Sequence, residues 1–307
     1  MRGTDFSLSP SPFPMTTFHT ADSEADLQAY VETWNAVTPE EPTSVDRQRE
    51  RRARDARRLY LLAEEDGMLV GCGFAGPSDN PDRGFLSPRV LPDARRQGVG
   101  TALLRALIAH LESRGFVSAS SHVDGADPGS LAFALGHSFE EVGRQVEQVK
   151  EIGDERTGAP PEGVTFVTLA DRPELLRESY DLAVEGYADR ATYTRVTISL
   201  EDWLAGDGAD IAAGSFVGLA GGEIVALSGL CEAPDGTVED GLTVVRRDWR
   251  RRGLAEALKR AKLAWAAENG ISEIVTWTQR GNEGMRALNE RLGYTYRSVS
   301  ISVLAPL

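Results

Sequence analysis

Cysteine and histidine are scarce in this chain, and long apolar runs are missing altogether. Its 307 residues include two cysteines, Cys72 and Cys231, and four histidines, His19, His110, His122 and His137. Two thiols in separate apolar runs make no disulfide framework, so each is expected as a buried free thiol. The histidines are scattered without zinc-like spacing, and no metal site is expected. No stretch approaches the ~18 apolar residues of a membrane-spanning helix. Basic charge is short as well: 33 Lys and Arg stand against 47 Asp and Glu, a net charge of −14. That balance argues against general binding to nucleic acid or to an acidic membrane. It suits a cationic or amine ligand, and it is also what an ordinary solvated surface carries. Residues 1–15 are rich in Ser and Pro and hold no apolar signal core, so a cytoplasmic location is expected.

The composition that remains is that of a globular protein, 41% hydrophobic and 26% charged. The length leads one to expect two domains of about 150 residues. The chain also repeats itself. Subtracting 155 from the positions of the second half maps Gly222 to Gly67, Val225 to Val70, Val245 to Val90, Arg250 to Arg95, Gly253 to Gly98, Ala255 to Gly100, Gly270 to Gly115 and Tyr294 to Phe139. One offset holds from about residue 60 to residue 145 without an insertion, which marks a duplicated domain.

The expected organisation is a flexible tail over 1–14, a first domain over 15–152, a linker over 153–163 and a second domain over 164–307. Asp22–Val37 carries apolar residues at helical spacing, with Asp22 or Ser23 as cap. The arginine-dominated run 45–58 reads as a solvated helix whose Asp46, Glu50 and Asp55 pair with neighbours; a nucleic-acid face is the other reading. Residues 59–74 form a hairpin, 84–91 a strand, 100–114 a helix, 116–123 a strand, 129–136 a short helix and 139–152 a closing hairpin. In the second half, 172–185 is helical. Tyr187, Tyr193 and Trp203 are either core aromatics or the wall of an acceptor pocket.

The most informative stretch is 241–294: strand, glycine-containing loop, helix, strand, loop, helix. Gly253 stands where the strand hands over to the helix. Unpaired N–H groups and the positive end of the helix dipole make such a junction an anion cradle, and Gly with a small Ala lets a phosphate approach; a tight turn needing Gly is the plainer reading. The loop Arg250-x-x-Gly253-x-Ala255, its counterpart Arg95-x-x-Gly98-x-Gly100, and the set Asn282, Asn289, Gly293, Tyr294 resemble the GCN5-related N-acetyltransferase (GNAT) superfamily.

That resemblance implies an α/β fold: a tandem duplication in which each mixed sheet has a central parallel splay flanked by helices. It implies acetyl-CoA, or another acyl-CoA, as the acyl donor. The implied cofactor-binding residues are Val245, Arg246, Arg250, Arg251, Arg252, Gly253, Leu254, Ala255, Asn282 and Asn289 in the second copy. In the first copy they are Val90, Leu91, Arg95, Arg96, Gln97, Gly98, Val99 and Gly100. Of these, Val245, Arg246, Val90 and Leu91 would bond the thioester carbonyl and the pantetheine arm through their backbone.

Acyl transfer from a thioester to an amine needs a group to polarise the carbonyl, a base for the ammonium and, in some enzymes, an acid for the thiolate. The family position for the base falls on Glu239, with Asp240 expected on the other side of the strand; an exposed strand-end carboxylate is the bland alternative. The family's tyrosine acid falls on Asn289 here and on Ala134 in the first copy, so neither copy has it. Tyr294 is the remaining hydroxyl nearby. The first copy departs further, with Gly84 for Glu239, Asp127 for Asn282, Ser138 for Gly293, and Pro128-Gly129 where its last helix should start. The expectation is a catalytic second copy, with Glu239, Asn289 and Tyr294 as candidates, and a first copy that keeps only its loop. The substrate would be a small-molecule amine, handled by a monomer with internal pseudo-symmetry or by a homodimer. A non-catalytic acyl-CoA sensor and a protein N-acetyltransferase are the alternatives.

Overall fold

The computed structural model describes residues 16–39, 42–78, 80–189, 198–204, 209–232 and 237–307. Its contacts divide the chain into two units. One takes the chain up to His122 together with Ala134–Glu140 and Val303–Leu307; the other takes Val123–Phe133 and Glu141–Ser302.

In the first repeat the elements are β1 (Thr17–Thr20), α1 (Glu24–Val37), α2 (Val45–Arg54), β2 (Leu59–Glu65), β3 (Met68–Pro77), β4 (Arg83–Val90), α3 (Val99–Ser113), β5 (Ser118–Asp124), α4 (Pro128–Gly136) and β6 (Glu140–Glu151). The second repeat supplies β7 (Val164–Thr168), α5 (Glu174–Glu178), α6 (Tyr180–Ala188), α7 (Leu200–Leu204), β8 (Phe216–Ala220), β9 (Glu223–Glu232), β10 (Val238–Val245), α8 (Leu254–Glu268), β11 (Glu273–Gln279), α9 (Glu283–Arg291) and β12 (Thr295–Pro306).

In the first unit the strands run β1-β2-β3-β4-β5, antiparallel except for the parallel pair β4–β5. Ser23 caps α1 in a reciprocal capping box with Asp26. Leu103, Leu104, Leu107 and Leu111 of α3 are buried. Arginines that the sequence gathers near α2 lie over aromatic rings: Arg52 is 5.0 Å from the Tyr60 ring and Arg58 5.8 Å from the Phe74 ring. Arg49 pairs with Asp46 and with Glu24. These contacts give the basic run a structural role.

In the second unit the order is β6-β11-β10-β9-β8-β7, with β10–β11 the parallel pair. Residues 139–152 do not form a hairpin: β6 is one continuous strand, paired with β11 from Glu273↔Glu151 to Gln279↔Gln145. Gly143 alone supplies no two-residue turn, so nothing in the sequence reverses the chain there. The end of β12 lies in the first unit, where Leu307 N donates to Val117 O at 3.0 Å.

The helical stretch expected over 172–185 breaks at Ser179, which closes α5 and opens α6. Its hydroxyl donates to Leu176 O at 2.9 Å, competing with the helix for that carbonyl. Tyr187 and Trp203 are buried in a core with Leu175, Leu182, Leu227, Leu242 and Val244, and Trp203 Nε1 donates to Leu176 O at 2.6 Å. Both aromatics are core residues; Tyr193 lies outside the described residues.

Cys72 and Cys231 are free thiols, the first buried and the second half-buried. Burial pushes both up to about 12. Among the described residues no helix is long and apolar enough to cross a membrane.

Candidate active site

The offset of 155 survives down to single hydrogen bonds at the two strand-to-helix loops. Gly98 and Gly253 both take the left-handed conformation, with φ of 96° and 80°, as the residues before α3 and α8. Arg96 and Arg251 also have positive φ, 66° and 61°. Arg95 Nε donates to Val90 O at 3.1 Å, and Arg250 Nε donates to Val245 O at 2.9 Å. Gln97 Nε2 reaches Asp93 O at 3.0 Å, as Arg252 Nη2 reaches Asp248 O at 3.0 Å. The first intrahelical bonds start at Ala102 N and Ala257 N, which leaves the preceding N–H groups, those of Val99, Gly100, Leu254 and Ala255 included, without a helical partner. A side chain built on Gly98 or Gly253 would meet no atom within 4 Å. It is the conformation that demands glycine there, and the loop backbone is approachable. These features fit a pyrophosphate in either loop.

The strands before the loops share their polarity too. Leu91 N donates back to Val70 O at 3.0 Å and Arg246 N to Val225 O at 2.9 Å. By the alternation of an antiparallel ladder, Val90 and Val245 then turn their backbone groups toward the parallel neighbour. Of the four backbone positions expected to meet an acyl donor, Val90 and Val245 face the splay, and Leu91 and Arg246 are tied to β3 and β9. The parallel pairs are short: Arg83, Gly84 and Phe85 pair in the first unit, and Val238 and Glu239 in the second. Past these residues the strands part.

Here the units diverge. β3 and β4 pair in one unbroken register from Gly71↔Val90 to Pro77↔Gly84. β9 and β10 keep that register only from Val245 to Thr243, then slip by one between Thr243 and Asp240. This bulge exchanges the faces of everything before it. In the first unit the side of β4 at Gly84 faces α3, since a Cβ there would lie 2.6 Å from Leu111. In the second unit Asp240 faces α8, while Leu242 and Val244 face Gly186 of α6. Glu239 therefore lies on the face opposite Asp240, half-buried, across from Cys231 on β9.

Asp240 is the centre of a buried polar cluster. Lys259 Nζ donates to its Oδ2 at 2.5 Å, Lys262 Nζ bonds its Oδ1, and the Tyr294 hydroxyl donates to Oδ2 at 3.2 Å. Lys262 also donates to Ser228 Oγ at 2.8 Å and Gly229 O at 3.1 Å, and Ser228 and Thr243 share a bond of 2.7 Å. Lys259 donates to Asn289 Oδ1 at 2.6 Å. Asn289 Nδ2 donates to Gln148 Oε1 at 3.0 Å and lies 3.4 Å from Thr278 Oγ1. Lys262, Gln148 and Asn289 are 0% exposed, and Lys259 is 1% exposed. Burial disfavours the Asp240 carboxylate, but Lys259 and Lys262 outweigh it and hold the group at about 2. Burial brings Lys262 down to about 8 against the pull of Asp240. Burial, with Asp240 beside it, pushes Tyr294 well above its ordinary value.

Asn289 and Tyr294 thus meet in one cluster, and Glu239 is directed elsewhere. Asn282 caps α9, its Oδ1 accepting from Met285 N at 3.4 Å, and Asp127 caps α4 through Gly129 N at 2.9 Å. The α4 helix starts at Pro128 despite the departure from the family pattern; proline suits the first helical position. In the second unit Arg250 also pairs with Glu185 at 3.2 Å and Asp189 at 2.6 Å of the α6 segment, and Arg247 pairs with Asp189 at 2.6 Å.

The acetyltransferase (GNAT) family profile matches residues 25–137 and again 174–294. The chain belongs to the GNAT family. Similar proteins include mycothiol acetyltransferases from Thermomonospora curvata, 27% identical over 82% of this chain and 84% of that protein, and from Catenulispora acidiphila, 26% identical over 78% of each. Among solved structures, a GCN5-related N-acetyltransferase from Sphaerobacter thermophilus superposes with a TM-score of 0.79 at 18% identity, covering 95% of both chains. A tandem GNAT protein of the clavulanic acid pathway gives 0.73 at 17% identity, covering 95% of this chain and 98% of that one. This tandem GNAT chain is an acetyltransferase. GNAT proteins draw their acyl group from acetyl-CoA or another acyl-CoA.

Sequence reasoning missed Asp240, Lys259, Lys262 and Gln148 as a group. A signal was there: the 155 offset sets Lys259 and Lys262 on Leu104 and Leu107, two core positions of the first copy.

Proposed function

We propose that the chain transfers an acetyl group from acetyl-CoA to the primary amine of a small molecule, and that the second unit does the chemistry. The bulge in β10 is the observation that carries this reading. It turns Glu239 to the face away from α8, leaves an extra residue unpaired beside the splay, and has no counterpart in β4. The likeness to mycothiol acetyltransferases across most of both chains supports a small-metabolite acceptor.

Acetyl-CoA supplies an acyl group activated as a thioester. The free N–H groups at the start of α8 hold its pyrophosphate, with Arg251 exposed beside them. The Val245 backbone, turned into the splay, donates to the thioester carbonyl and stabilises negative charge as the amine adds. Glu239 accepts the proton of the incoming ammonium, directly or through water. The first unit keeps a complete loop but has Gly84 where the second has Glu239, and its role is to hold CoA without turnover.

The test is thiol release from acetyl-CoA across a panel of small amines that includes the substrate of mycothiol acetyltransferases. Wild type is expected to release thiol with at least one amine. Glu239→Gln is expected to lower turnover by roughly 10²-fold, the lower end for loss of a general base, with CoA affinity unchanged. Equal turnover in that variant removes Glu239 as base. CoA binding without thiol release from any amine favours a sensor instead, a reading supported by the lack of a tyrosine at Asn289 and Ala134.

A further inference from the structure

We infer that the Lys259–Asp240–Lys262 cluster is the charge sink of the second unit's acyl-transfer site, meeting the thiolate that leaves the thioester. The inference rests on the acyltransferase reading of that unit and adds residues to it.

Three observations carry it. The first is a charge imbalance. Two ammonium groups share one carboxylate in the interior; of the further carboxylates that act on its surroundings, Glu155, which acts on Tyr294, pairs with Lys150 at 2.7 Å, and Asp210 and Glu239 act on Cys231. Among the described residues, the groups that hydrogen-bond within the cluster from the other elements are neutral: Ser228 from β9, Thr243 from β10, Thr278 from β11, Asn289 from α9, Gln148 from β6, and Tyr294 just before β12, while the Cys231 thiol acts on Lys262 from the other face of β9. The second observation is a surplus of donors. Gln148 Nε2 is buried without an acceptor, and Lys259 uses two of its three N–H groups on oxygen acceptors among the described residues, with the Tyr294 ring 5.1 Å from its nitrogen. Both adjoin Asn289, where an added acceptor or anion would satisfy them. The third is the first repeat, which builds the same fold with Leu104, Leu107, Ala134, Phe139 and Gly73 at the positions of Lys259, Lys262, Asn289, Tyr294 and Ser228. The fold does not need buried charge there, so the charge serves something other than folding.

The location points to the leaving group. Asp240 follows Glu239, the last β10 residue paired with β11, so it stands where the two strands begin to part. As the amine nitrogen forms its bond to the carbonyl carbon, the carbon–sulfur bond breaks and its electron pair goes to sulfur. The amine proton leaves through Glu239 to solvent. The new thiolate then balances the surplus ammonium charge until it takes a proton. Lys259, beside Asn289 and Gln148, is the group placed to meet it.

The experiment needs no acceptor. CoA is bound to the protein on a Gly98→Val background, which silences the first loop. Its thiol is titrated by ultraviolet thiolate absorbance, with desulfo-CoA as the blank. The bound thiol is expected to ionise at least one pH unit below free CoA, a tenfold gain in thiolate at a given pH. Lys259→Met leaves a balanced Asp240–Lys262 pair and is expected to return the thiol to its free value while CoA still binds. If Lys259→Met does not fold, the variant Asp240→Leu/Lys259→Leu/Lys262→Leu takes its place with the same expectation. A bound thiol that titrates as free CoA in the parent overturns the charge sink and leaves the acyltransferase reading standing. A depressed value that persists in the variants overturns it equally. Failure of the parent to bind CoA overturns the reading of the site itself, and this inference with it.

Discussion

The two repeats carry the same backbone plan and opposite interiors. Around α3 the first unit packs leucines; around α8 the second packs two lysines onto an aspartate. The loops have stayed alike down to the bond from arginine Nε to a valine carbonyl. Duplication kept the geometry of the strand-to-helix loop. The register of one strand and the polarity of one core then changed. The leucine version folds without buried charge, which is why we infer a functional role for the lysine version.

The largest expected effect comes from unbalancing the second interior. Asp240→Asn strips the carboxylate that two buried ammonium groups share and is expected to destabilise the protein by about 3–5 kcal/mol in chemical denaturation. Replacing all three charges with leucine, the residue the first unit has at Leu104 and Leu107, as Asp240→Leu/Lys259→Leu/Lys262→Leu, is expected instead to be neutral or to stabilise by about 1–4 kcal/mol. A replacement as damaging as Asp240→Asn would break the comparison, because the charges would then be structural.

A smaller effect separates the loops. Gly253→Val and Gly98→Val each force a β-branched residue into left-handed backbone, at about 1–3 kcal/mol of strain. By calorimetry, one acetyl-CoA site weakened about tenfold or more only by Gly253→Val would mark the second loop as the working one. Two sites, each lost with its own glycine, would show that the first unit still holds cofactor.

The smallest effect is in pH. Lys262 has a folded value of about 8 against an ordinary 10.5, so between these the unfolded chain binds more protons than the folded one. Stability must then rise with pH in that window, by at most about 1.4 kcal/mol per unit, relative to Lys262→Met. Asp240 works in the opposite range. Its value of about 2 lies below the ordinary 3.8, and the stability it contributes is lost as pH falls through that interval. Parallel pH curves for wild type and Lys262→Met would mean the cluster is not charged as drawn.

Much of this was legible in the residues. The 155 offset, the two glycine loops and the α1 helix all follow from local preferences that no neighbour overrides, and of the two caps offered, Asp22 and Ser23, the structure uses Ser23. The break at Ser179 did not, because it accompanies side-chain bonds from Ser179 and the distant Trp203 to Leu176 O. Nor did the pairing of β6: a strand's sequence states its periodicity and is silent about its partner.

The sequence by itself determined the duplication and the two glycine loops, which are matters of residue type, spacing and backbone freedom; the α/β acetyltransferase followed from their resemblance to the GNAT superfamily. Only the tertiary structure decided which way Glu239 and Asp240 face, since one bulged residue reverses a strand with a period of two. It alone brought Lys259, Lys262, Asn289, Gln148 and Tyr294 around one carboxylate. Residues from β6, α8, α9 and the turn before β12 meet there only once sheet and helices have packed, and burial then gives their charges a weight they would not have in water.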